Sequence, residues 1–123
     1  MTDQDRPTSG ELSAAISTAV VHMLAETTGR GPTKAKTTLG ENGVFVVLQD
    51  NLTKGERTLV AAGEQAAVLD IRKRWQNIMR TRMSKEIEEL TGRRVVGFMS
   101  DSHIDQDLAV EVFVLEQVAD ARA

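Results

Sequence analysis

Hydrophobic positions recur with two different periods along this 123-residue chain. From Glu64 to Gly92 they fall at spacings of three and four, through Val68, Ile71, Trp75, Ile78, Met79, Met83, Ile87 and Leu90. That spacing draws a stripe down one side of a helix with about 3.6 residues per turn. Neither Pro nor Gly interrupts it, and Gly92 stands where a left-handed cap residue without a Cβ ends a helix. At about 1.5 Å of rise per residue this helix is roughly 40 Å long, more than a domain of this size needs for its own core. A sheet or a second copy of the chain must cover the stripe, and both are expected.

The same period appears earlier. Thr8-Ser9-Gly10-Glu11 reads as a capping box, and the helix it opens carries Leu12, Ala15, Ile16, Ala19, Val20, Met23 and Leu24 on one face. Gly29-Arg30-Gly31-Pro32 stops it, and Pro32 turns the chain to an extended path. A period of two takes over in Lys34–Leu39, an edge-like strand with Lys34, Lys36 and Thr38 on one face. Turn chemistry at Gly40-Glu41-Asn42-Gly43 joins it to Val44-Phe45-Val46-Val47-Leu48, apolar at every position, which predicts a strand covered on both faces. Thr53-Lys54-Gly55-Glu56 is a second capping box for a short helix broken at Gly63. After the long helix come a strand over 95–100, a polar connection over 101–107, and a strand over 108–115 in which Leu108, Val110, Val112 and Val114 alternate with Ala109, Glu111, Phe113 and Leu115.

The order α-β-β-α-α-β-β predicts an α+β fold, a small antiparallel sheet of two hairpins packed against helices. Residues 1–9 read as a flexible arm, 10–117 as one domain and 118–123 as a tail. Two sheet edges remain, and pairing of edges across a two-fold axis is one route to a dimer.

Composition narrows the function. Without Cys there are no disulfides, thiolate metal sites or Cys nucleophiles, which fits a cytoplasmic protein. No apolar run reaches the roughly 18–20 residues of a membrane span, so direct insertion is not expected. The net charge of −3 hides an asymmetry: Arg72 to Arg94 holds eight basic and three acidic residues, whereas Asp101 to Asp120 holds six acidic and no Lys or Arg. A solvated helix face explains the basic run; a surface for an anionic partner, with Arg72, Arg74 and Arg80 as contacts, is the sharper alternative. The acidic balance and the three Phe and one Trp with no Tyr argue against nucleic acid.

Asp101, His103 and Asp105 alternate, so an extended segment would place their donors on one side, as a divalent metal requires; a solvated hairpin tip is the plainer reading and is preferred. Trp75, Met79 and Met83 form the strongest candidate interface, against the plainer reading that they are core. No Ser, His and acid motif supports hydrolase or transferase chemistry, so the chain reads as a non-enzyme without a cofactor.

Three stretches together resemble a known family. They are Gly31-Pro32 leading into Lys34-Ala35-Lys36-Thr37; Leu52-Thr53 with Glu56 and Leu59; and Ile87-Glu88-Glu89-Leu90-Thr91-Gly92-Arg93-Arg94-Val95-Val96, followed by Ser100-Asp101 and Val112-Phe113-Val114-Leu115. Their order and spacing resemble the MpsC-like family over roughly residues 10–117. Where that family often has Pro or Ala after the Leu-Thr pair, this chain has Lys54-Gly55. The resemblance implies a soluble accessory or regulatory subunit of a sodium-translocating, membrane-potential-generating system, with membrane proteins of cation or inorganic-carbon uptake as partners. It carries across no catalytic set, and it singles out Asp101 as the residue without a structural reason for its place. The leading expectation is thus a dimeric module acting by protein contacts; the alternatives are a small-ligand or metal sensor and weak nucleic-acid binding by the long helix.

Overall fold

The computed structural model describes residues 7–117. The tail over 118–123 and most of the arm over 1–9 lie outside the described residues. The elements are α1 (Ser9–Thr28), β1 (Lys34–Leu39), β2 (Gly43–Gln49), α2 (Lys54–Ala61), α3 (Gln65–Thr91), β3 (Val95–His103) and β4 (Leu108–Leu115), in the α+β order expected. Local chemistry sets their ends. Thr8 Oγ1 accepts from Glu11 N at 3.0 Å, and Gly29 and Gly92 close α1 and α3 in the left-handed conformation. At α2 the reciprocal capping box forms in full, Thr53 Oγ1 accepting from Glu56 N and Glu56 Oε1 from Thr53 N.

All neighbouring strands are antiparallel, in the order β1-β2-β4-β3, so the two hairpins meet through the central pair β2 and β4. The inner face presents Val44, Val46 and Leu48 from β2, Ala109, Phe113 and Leu115 from β4, and Phe98 from β3. Against it lie Ile16, Val20, Met23 and Leu24 of α1 and Met79, Met83 and Ile87 of α3. Phe98 and Phe113, paired across β3 and β4, pack in a tilted pair with ring centroids 5.1 Å apart and planes at 41°. Burying eight large side chains below 2% exposure, at about 1.5–3 kcal/mol each, makes this layer the main source of stability.

Two expectations need correction. The β2 run is not covered on both faces: Val44, Val46 and Leu48 are fully buried, while Phe45 and Val47 are each 42% exposed. The core includes α1 and α3 on one side of the sheet, and no described residue forms a layer on the other. And β3 does not end at Ser100 but continues to His103, pairing with β4 as far as His103 with Leu108. Its polar end looked like a loop because an edge strand carries polar residues without losing its ladder. The connection is a tight turn over 104–107, closed by Asp107 N donating to Ile104 O at 3.0 Å.

Candidate functional site

Two regions hold side chains that packing alone does not explain. The first is the outer face of the sheet. Strand register sorts its residues into rows that run straight across the four strands. One row is Thr38, Phe45, Val112 and Met99; the next is Lys36, Val47, Val110 and Asp101; the third is Lys34, Gln49, Leu108 and His103. Phe45, Val47 and Met99 are exposed and Val110 and Val112 half-buried, so the middle of this face is an apolar field on strands β2 and β4. Its borders differ in charge. Lys34 and Lys36 project along β1, and Asp101 and His103 along β3.

The second region lies between the first half of α3 and the inner face of β3, a cleft of about 350 Å³ lined by Leu69, Asp70, Arg72, Lys73, Gln76, Ser100, Asp101 and Ser102. Near it, Arg72 is buried and grips Glu56 with both arms of its guanidinium, Nε to Oε2 at 2.7 Å and NH2 to Oε1 at 2.6 Å, while NH2 also donates to Asn51 O at 2.8 Å. Glu56 therefore caps α2 and ties it to α3 with one carboxylate. Glu111, paired with Ser100 across the strands, points inward on β4 and is only 3% exposed. Burial pushes its carboxyl up to about 7, against the opposing pull of the Ser100 hydroxyl beside it and of Arg72. Among the described residues no aligned hydrogen-bond partner reaches Glu111 Oε2, Ser100 Oγ or Ser102 Oγ.

The residues singled out from the sequence fall unevenly on these regions. Asp101 and His103 share the outer face of β3, but Asp105 lies in the turn beyond it. Among the described residues no group of three or more His, Cys, Asp or Glu is placed to hold a metal ion, so the expected metal set does not converge. Asp107, from the same acidic stretch, is a clip: its Oδ1 accepts from Asn51 N at 2.9 Å and Leu52 N at 3.0 Å, fixing the β3–β4 turn to the chain after β2. Met79 and Met83 are 5% and 1% exposed in the chain's own core, with Trp75 packed against it, so the methionines are not free to form an interface. The basic set does not form one surface either. Arg72 is buried with Glu56, exposed Arg74 pairs with Asp70 at 2.9 Å, and Arg80 donates to Phe98 O and lies over the Phe98 ring.

Glu111 did not stand out in the sequence, and Glu56 stood out as a helix cap but not as the partner of Arg72. The signal for Glu111 was its phase, since it falls in step with Ala109, Phe113 and Leu115. That for Arg72 was its distance of four from Val68 and seven from Met79, on the buried stripe.

Among the described residues no helix is long and apolar enough to cross a membrane. Comparison with known proteins agrees with the resemblance read from the motifs. The family model described as "Na+-translocating membrane potential-generating system (MpsC)" matches residues 8–117. The chain is also 28% identical over 94 residues to the uncharacterized protein YrhF of Bacillus subtilis (strain 168), a match covering 75% of this chain and 77% of that one. No solved structure matches. The matched span runs from the Thr8 cap of α1 past the end of β4 and takes in both regions above; the chain belongs to the MpsC family.

Proposed function

We propose that this protein is a non-enzymatic accessory or regulatory module that works in the cytoplasm through protein contacts made by the outer face of its sheet. The observation that carries the reading is the exposure of Phe45, Val47 and Met99 on a face that the described helices leave uncovered. Leaving such residues in water forgoes about 25 cal/mol for each Å² of apolar surface, and a contiguous apolar field of this kind marks a contact surface. The family description supports a setting in which that contact serves a membrane cation system.

The test is a quantitative comparison of what co-purifies with the tagged protein and with its Val47→Asp variant from the same host. The reading expects specific proteins, a second copy of the chain included, to be lost from the variant. An unchanged set of co-purifying proteins, with the variant folded, would overturn it.

A further inference from the structure

Resting on that reading, we infer that the occupant of the outer face is a second copy of this chain, and that the two sheets pack face to face about a two-fold axis running parallel to the strands. Three observations lead there. The first is that β2 is apolar at both phases, as a strand buried on both faces would be, yet the described residues of this chain cover one. A second copy supplies the missing layer with the same chemistry.

The second is the charge at the two borders. Face-to-face packing of identical sheets allows two in-plane two-fold axes. An axis across the strands lays β1 over β1 and β3 over β3, bringing lysines to lysines and Asp101 to Asp101. An axis along the strands lays β1 of each copy over β3 of the other. Only the second sets opposite charges together.

The third is register. A pure two-fold rotation about an axis along the strands keeps every residue at its own height. Lys36 and Asp101 stand at the same height, linked through the pairs Lys36 with Val47, Val47 with Val110 and Val110 with Asp101. Each Lys36 is therefore carried over the partner's Asp101, and by the same rule each Lys34 over the partner's His103, while Val47 meets Val110 in the middle. Aligned sheets pack at about 30° to each other, which moves the edge strands by roughly one residue, within the reach of a lysine side chain. The lysines that discourage strand addition at the β1 edge would thus select the partner on the face.

The face is small. Four strands about 4.8 Å apart and some seven residues long give roughly 400 Å² in projection, against about 800 Å² per partner in a standard interface. The dimer is accordingly one that exchanges, with a dissociation constant in the micromolar range.

Sedimentation velocity of the full chain over low to high micromolar concentration tests this. The wild type is expected to pass from monomer to dimer. Lys36→Asp and Asp101→Lys each place like charges together and should weaken the dimer by about tenfold or more, whereas the double variant restores the pairing and recovers most of the affinity. Ile78→Lys, on the exposed side of α3, should leave it unchanged. A dimer abolished by Ile78→Lys, or a double variant as weak as the sum of its singles, overturns the proposed geometry. A wild type that stays monomeric overturns the second copy as occupant; if Val47→Asp nonetheless loses a co-purifying protein, the contact reading stands with a different partner, and if it loses none, both fall. All the substituted side chains except Val47 are more than half exposed or at sheet borders, and thermal unfolding of each variant confirms the fold.

Discussion

Glu111 gives the sharpest test of the buried layer, because its carboxyl is forced to choose between a proton and an unfavourable charge. In the folded chain burial raises it from an ordinary 4.5 to about 7. The unfolded chain returns it to the ordinary value. Between these two limits the folded state holds a proton that the unfolded state has released, so the stability contribution is fully present below pH 4.5 and is lost as pH rises through about 7. At about 1.4 kcal/mol for each tenfold in the equilibrium, the loss amounts to about 3 kcal/mol. That is a large share of the roughly 5–15 kcal/mol that holds a typical domain together. Urea unfolding at a series of pH values, run in parallel on wild type and Glu111→Gln, isolates this group from every other titration. The difference in stability should shift in favour of the variant by about 3 kcal/mol between about pH 4 and about pH 8. A difference that stays flat would mean that Glu111 is not desolvated as the structure has it. A difference that moves in favour of wild type would mean that Arg72 holds the carboxylate charged in spite of burial.

Arg72→Met should destabilise the protein by about 3–5 kcal/mol in urea unfolding, because it strands a buried Glu56 carboxylate, and retention on heparin should not change. Adding Glu56→Leu should recover part of that loss, less the α2 cap. Met83→Ala should cost about 2–4 kcal/mol by the same assay while leaving the dimer affinity of the folded protein unaltered, as a core residue must and an interface residue would not.

How far the sequence could be read follows from what each pattern reports. Caps and stops were legible because they act locally: Thr8, Thr53, Gly29 and Gly92 each sit where short-range chemistry places them. The stripe on α3 was legible as a helix, but the partners of its residues were not. Periodicity marks which residues turn inward without saying whether the cover is the same chain, and Met79 and Met83 meet the inner layer of their own sheet. Charge counts misled at Arg72, since a tally of basic residues ignores phase, and Glu56 lies sixteen positions away. The outer face was half-visible. The apolar run in β2 demanded two covered faces, and the fold shows which of them the described residues leave open. The alignment of Lys36 with Asp101 depends on strand order β1-β2-β4-β3, a non-local fact that no local pattern contains.

The most direct measurement is zero-length carbodiimide coupling of a mixture of unlabelled and isotopically labelled protein, read by mass spectrometry. Lys36 and Asp101 of one chain are three strand spacings apart, about 14 Å, too far to couple within a copy. The proposed packing predicts a Lys36–Asp101 cross-linked peptide carrying one label of each kind. Mixed-label peptides that instead join Lys73 or Lys85 of α3 to acidic residues of a second copy, with none between Lys36 and Asp101, would contradict it.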